Sequence, residues 1–437
     1  MQCGHERFFK LPERSQMRSH FVAIAVLLSA ATVSGQAPAE KLSPAEQRIA
    51  WAKKAIEKNP ARVQSHNDLA LALARRARET SNPVYYQQAE EELAKSLRLA
   101  PANFDAEKIQ VWVLLGQHKF AQAQEKAKAL NRRAPDDVLV YGMLADAQIE
   151  LGNYPEAEAA VQWMLDLRPG NVPALTRAAY LRELFGDIEG AVEFMNQAYE
   201  RTPHYEVEDR AWILTQVAHL ELLRGRLDTA EKVLLHALKL FPEYHYALAN
   251  FAKVRAAQKK YPEAVDLLQK RFRAAPHPEN LVDLAVALEK AGRRDEAKTA
   301  YAEFEQKARA EMEKPDNSNR ELVFYYADHA GQPAEALRIA RSEIGRRKDV
   351  HTLDAYAWAL YVSGEYAEAR KQMETALGVG IQDAKFFYHA GTMAAKLGDS
   401  AAAQRYLQQS LDLNPVSEVA GAVGESLAAL KPPPGQS

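Results

Sequence analysis

The sequence predicts an all-α solenoid of about ten helical hairpins, and three recurrences predict it. Prolines at Pro101, Pro135, Pro169 and Pro203 stand 34 residues apart, and Pro242 and Pro276 repeat that step after one longer gap. Alanines precede these prolines by twelve residues, at Ala89, Ala123, Ala157, Ala191, Ala230 and Ala264, and continue at Ala297, Ala336, Ala369 and Ala403. Glycines at Gly152, Gly186, Gly225, Gly292, Gly331, Gly364 and Gly398 fall shortly before the alanines.

Each mark has a physical reason. Two helices of about twelve to fifteen residues plus two turns use up such a period, and neither helix buries its apolar face alone. The stretch Val138–Gly170, VLVYGMLADAQIELGNYPEAEAAVQWMLDLRPG, shows the unit most plainly. A first helix ends near Leu151, Gly152 supplies the positive φ of the turn, and Pro155 opens the second helix. Ala157 lies where the two helices cross, and a larger side chain there would overpack. Pro169 ends the unit because proline cannot extend a helix.

Composition bounds the rest. The chain has 437 residues, 47% hydrophobic and 26% charged, with a formal net charge of -2. That balance argues against a disordered or membrane-integral chain and against general attraction to nucleic acid or to an anionic membrane surface. Phe21–Val33 is an apolar run preceded by Arg14 and Arg18 and followed by Ser34, Gly35 and Ala37. It is too short to span a bilayer and has the layout of a secretory signal peptide over residues 1–37, with cleavage near 35–37. The start is at Met1 or Met17, and the competing reading is an uncleaved membrane anchor. The single cysteine, Cys3, lies in this leader, so the exported chain is expected to have no disulfide, thiol chemistry or lipid anchor. A periplasmic or secreted location follows as an expectation.

In order, residues 38–60 form an N-terminal capping helix that starts at Ser43-Pro44 and is expected to bury Ala50, Trp51, Ala55 and Ile56. The solenoid spans 61–415. Residues 416–430 form a C-terminal capping helix, and the KPPPGQS tail, 431–437, is expected to be disordered.

At this point the unit resembles the tetratricopeptide repeat. The motif stands as LGNYPEA at 151–157, FGDIEGA at 185–191, RGRLDTA at 224–230, KKYPEA at 259–264, AGRRDEA at 291–297, SGEYAEA at 363–369 and LGDSAAA at 397–403. The resemblance covers roughly residues 45–430. The whole pattern is similar to exported bacterial repeat proteins of undefined role. It implies a right-handed superhelix with first helices lining a concave groove. The inward positions it implies include Met143, Asp146 and Ile149, then Arg177, Tyr180, Trp212, His219, Tyr246, Asn250 and Lys253. Later units supply Tyr325, Asp328, Asp354, Trp358, Tyr361, Tyr388 and His389. The family's clamp for terminal carboxylates is matched only by Asn250, because Thr215, His219, Asn280 and Leu284 do not fit it.

Four stretches depart from the repeat. RETSNPVYYQ at 78–87 is inserted in the first unit, and His118-Lys119 stand where glycine is usual. The joint HYEVEDR adds five residues, and KPDNSN follows a long second helix that runs to about Glu313. Bends are expected near 204–211 and 310–320, with tolerated loop insertions as the competing reading. The unit at Ala336 lacks its proline and ends in Arg346-Arg347-Lys348, read as a solvated helix end.

No metal-binding, nucleotide-binding or nucleophile-elbow motif occurs in the sequence, and no cofactor, metal site or catalytic residue is expected. The sequence therefore predicts a non-enzymatic scaffold that binds another protein, or an extended segment of one, along its groove. The site residues expected to do so are Arg177, Tyr180, Trp212, His219, Tyr246, Asn250, Lys253, Tyr325, Asp354, Trp358, Tyr361 and Tyr388. Aromatic rings beside hydrogen-bonding groups suit such anchoring. The competing reading of each ring is gap-filling between neighbouring first helices. The alternative function is a glycan-binding or polysaccharide-export accessory protein. No nucleic acid and, after cleavage, no membrane span is expected, and the oligomeric state is not legible.

Overall fold

A computed structural model describes residues 42–430, which are helices joined by short turns with no strand among them. The signal peptide expected at 1–37 and the disordered tail expected at 431–437 lie outside the described residues. Ten hairpins follow the first helix, Pro44–Lys58. Unit 1 is Val63–Thr80 with Val84–Leu99, unit 2 Phe104–Gly116 with Phe120–Arg133, and unit 3 Val138–Glu150 with Tyr154–Leu167. Unit 4 is Val172–Leu184 with Ile188–Arg201, unit 5 Val207–Leu223 with Leu227–Leu240, and unit 6 His245–Ala257 with Tyr261–Ala274. Unit 7 is Glu279–Lys290 with Arg294–Glu311. Unit 8 pairs Asn319–Phe324, continued by a π-helical turn at Tyr325–His329, with Pro333–Glu343. Units 9 and 10 are Val350–Val362 with Tyr366–Leu377 and Ala384–Lys396 with Ser400–Leu413, and Ala420–Leu430 closes the row.

The repeat marks act as the sequence physics requires. Nine of the ten motif alanines are 0% exposed and Ala297 is 3% exposed, so each lies inside a helix crossing with no room for a longer side chain. The seven turn glycines all have positive φ. Where glycine is absent, His118 and Lys259 adopt the left-handed turn themselves, with φ of 56° and 59°. In unit 3 the Asp137 carboxylate accepts from the amides of Leu139 and Val140 and caps the first helix. Ile149, Ala157, Val161 and Met164 then close the hairpin's core.

The first helix buries a different face from the expected one. Ala45 and Ala52 are buried with Ile49 and Ile56 packed beside them, whereas Ala50 is exposed and Trp51 is 60% exposed. The buried stripe has the i, i+4, i+7, i+11 spacing of one helical face, and Trp51 lies off it.

The hairpins wind into a superhelix tight enough to touch itself. The turn inside unit 2 meets the joint before unit 8, where His118 Nδ1 lies 3.6 Å from Asp316. The turn of unit 3 meets the joint before unit 9, with the Lys348 amide donating to Glu150 O at 2.8 Å. The Val350 amide donates to the Tyr154 hydroxyl at 2.9 Å. The turn of unit 4 meets Gly380 before unit 10, and the turn of unit 5 accepts at Leu222 O from Asn414 Nδ2, 2.8 Å away. Over units 2–5 the elements that meet are therefore six units apart, whereas unit 1 meets the starts of units 5 and 6. At the upper end Arg48 and Arg75 pair with Glu206 at 2.7 and 3.2 Å, and Arg78 pairs with Glu208 and Asp209.

Each departure from the repeat lies on this seam. The insertion in unit 1 lengthens its first helix and carries Arg78 to the start of unit 5. The longer joint before unit 5 carries Glu206, Glu208 and Asp209 to meet it. His118 faces Asp316, the residue supplied by KPDNSN. The Arg346-Arg347-Lys348 run is not a solvated end, because the Arg347 side chain is only 9% exposed and bonds Glu150 and Asp349, each at 2.9 Å.

Candidate functional site: the inner wall and the seam

The first helices carry the inner wall, and the expected site residues fall into two groups there. In the middle units most polar groups are already committed. Arg177 forks onto Asp146 at 2.8 and 2.6 Å and also donates to the Gly142 and Pro173 carbonyls, so it ties unit 4 to unit 3. His219 bonds Glu183 at 2.9 Å. Trp212 is half-buried against the core. Tyr246 lies against His245 with centroids 3.9 Å apart, and burial pushes its phenol up to about 12. Asn250 donates to Tyr246 O at 3.0 Å, its Oδ1 has no partner, and Lys253 is exposed.

In the C-terminal units the structure gathers several candidates into one stacked column. Trp358 lies between Tyr361, 5.0 Å away, and His389, 4.1 Å away, and Phe324 continues the stack beyond His389 at 6.2 Å. Trp358 Nε1 donates to Asp328 at 2.7 Å, and His389 Nδ1 lies 2.6 Å from Asp354. Tyr325, Asp354 and Trp358 are 9%, 3% and 7% exposed, so these three act inside the wall. Tyr361 and Tyr388 remain half-buried at its surface. The π-helical turn directs Asp328 to Trp358, while His329 goes to Tyr301, 3.0 Å away. Asp328, His329 and Asp354 therefore take separate partners and form no acid–base constellation.

Where the two turns meet, a cavity of about 340 Å³ opens between Asp146, Ile149, Glu150 and Tyr180 on one side and Arg320 and Arg347 on the other. Burial pushes the Glu150 carboxyl up despite Arg347 beside it. At Asp349 burial also opposes ionisation, but Arg347 and Arg320 outweigh it and hold the carboxyl well below the usual range. Arg320, Arg347 and Asp349 were not expected at the wall, because they lie at or beside joints and only the superhelical winding brings them there. Their one sequence signal was the missing proline. Glu418 was missed as well; Lys385 above all, with Lys253 and Lys290, holds its carboxyl low.

His245 gives the wall a pH dependence. It is 1% exposed, its Nε2 lies 2.9 Å from Arg78 O across the seam, and its Nδ1 has no partner. Burial lowers its pKa from 6.5 to about 4. Because the folded value lies below the unfolded one, stability is complete above pH 6.5 and is lost as pH falls towards 4. Asp316, raised by burial to about 6, works in the opposite direction. The comparison is therefore made with His245→Gln, which keeps a donor for Arg78 O. Urea titrations at both pH values should show the wild type losing on the order of 3 kcal/mol more than the variant. Equal losses would show that His245 is not buried as a neutral ring.

Among the described residues, no group of three or more His, Cys, Asp or Glu is placed to hold a metal, and no helix is long and apolar enough to cross a membrane. Models of the tetratricopeptide repeat match residues 114–165, 142–206 and 355–418. No curated protein matches the sequence. Solved structures with a similar course include the APC/C hetero-tetramer Cut9–Hcn1, at 13% identity and TM-score 0.44 over 88% of this chain. This chain spans 58% of that relative's length. Yeast Tom70 matches at 14% identity and TM-score 0.41, over 88% of this chain and 95% of its own. The type IV pilus biogenesis factor PilW matches at 13% identity and TM-score 0.41, over 47% and 93%. Ten stacked hairpins form a helical-repeat scaffold of the kind that serves protein–protein contact. Across the stretches that the repeat models match, the chain carries tetratricopeptide repeats.

Proposed function

We propose that this protein is an exported adaptor that holds an extended segment of another protein against its inner wall. The observation that carries the reading is the contrast between committed and uncommitted groups there. Arg177, His219, Asp354 and Trp358 are consumed by internal partners. Lys253 is exposed, and Tyr361 and Tyr388 are half-buried. Two phenolic rings with a cation suit a peptide that offers apolar side chains and hydrogen-bond acceptors. Export rests on the Phe21–Val33 run and its flanks, and an envelope or secreted partner follows from it.

Affinity capture from an envelope extract tests the reading. The full chain should retain a defined partner that the Lys253→Glu plus Tyr388→Ala variant loses. Both substitutions are at the wall surface and leave the motif alanines untouched. Capture of the same proteins by wild type and variant would remove the inner wall from the account.

A further inference from the structure

Helix packing in this protein runs along the chain. Every extensively packed pair joins helices one or two places apart in sequence, and none crosses the seam. Each hairpin therefore completes its apolar core with its neighbours before the two turns meet. The seam itself is made of edges: loop backbones, hydrogen bonds and ion pairs. Several of its charges remain in contact with water, as the side-chain exposures of Arg48, Arg75 and Asp209 show, at 36%, 23% and 30%. Ion pairs of that kind contribute little individually, and the buried group of Arg347 with Glu150 and Asp349 is the exception that ties the two turns. An interface of this composition resembles those between mobile domains rather than a core.

The glycines show where the two turns must come close. A Cβ on Gly186 would lie 2.5 Å from Gly380 O, and one on Gly152 would lie 2.9 Å from Lys348 O. On the free edge of the second turn, Gly292, Gly331, Gly364 and Gly398 have nothing within 4 Å of that position. All of these residues need glycine for positive φ, but only those of the first turn also need it for contact.

We propose that the seam is a latch: the two superhelical turns separate and rejoin while every hairpin stays folded, and separation uncovers the inner wall. Its use in admitting a partner rests on the inner-wall reading. The opening itself does not, and it can be measured with no partner present.

The test compares Gly186→Ala with Gly364→Ala by small-angle scattering and far-ultraviolet circular dichroism. Both variants place a methyl group on a left-handed residue, with φ of 83° and 86°, but only the first meets the opposite turn. A second, independent variant, Glu206→Lys with Asp209→Lys and Arg347→Met, turns the pairing with Arg48, Arg75 and Arg78 into repulsion, removes the buried cross-turn pair with Glu150, and should shift the open-to-closed ratio about a thousandfold or more. Gly186→Ala and the charge variant are expected to have a larger radius of gyration at unchanged helicity, with Gly364→Ala matching the wild type. If Gly186→Ala does not fold, the charge variant decides alone. A wild-type radius in the charge variant, or expansion accompanied by loss of helix, overturns the latch.

Discussion

Replacing Arg347 with methionine should lower the free energy of seam opening by about 3–5 kcal/mol, the range found when one partner of a buried ion pair is removed. Arg347 is bonded to Asp349 through Nε and paired with Glu150, and it lies over the Phe120 ring at 5.4 Å. Asp349 is 2% exposed and also caps the first helix of unit 9 through the His351 and Thr352 amides. Methionine fills the volume and leaves two carboxylates facing each other across the joint. Hydrogen exchange at Lys348 and Val350 reads the effect directly, because their amides donate across the seam. Adding Glu150→Met to Arg347→Met should recover part of the loss, since apolar replacement of a whole buried pair is tolerated. Unchanged protection of those amides in Arg347→Met would mean that the cross-turn pair does not hold the seam.

Phe304→Ala should cost a comparable amount, about 3–5 kcal/mol, but in a different place. Phe304 is 0% exposed in the long second helix of unit 7 and meets Tyr325 edge-to-face at 5.7 Å. Unit 8 depends on that contact more than other units depend on theirs. Its first helix is only six residues long and continues into the π-helical turn. Because each unit contacts mainly its neighbours, the lost protection should concentrate in units 7 and 8. A uniform loss over all ten hairpins would show that the array unfolds as one cooperative body.

Much of this architecture was legible because its causes are local. A turn glycine, a crossing alanine and a closing proline each act within one hairpin, and their recurrence announces the solenoid. The winding was not legible, because the superhelical pitch accumulates small rotations over several units and no short window contains it. The departures from the repeat were visible without being interpretable for the same reason. Arg78, His118, Glu206, Asp316 and Arg347 read as insertions, a lost glycine and a solvated end until the second turn came to rest on the first. The inner-wall residues were half legible. Their position followed from the repeat, but their commitment did not. Trp358 and Asp354, expected to meet a partner, are instead bonded to Asp328 and His389 inside the array. Trp51 shows the limit within a single helix: an apolar residue in an apolar window was expected inside, and the stripe set by Ala45, Ile49, Ala52 and Ile56 leaves it out.

If the inner wall, and not the outer one, receives a partner, site-specific photo-crosslinking in the native cell will show it. A photoreactive residue replacing Lys253 or Tyr388 on the first helices should give a discrete crosslinked species. The same residue replacing Leu235 or Trp163, exposed on second helices by 52% and 46%, should give none. Crosslinks from Leu235 or Trp163 with silence at Lys253 and Tyr388 would contradict the claim.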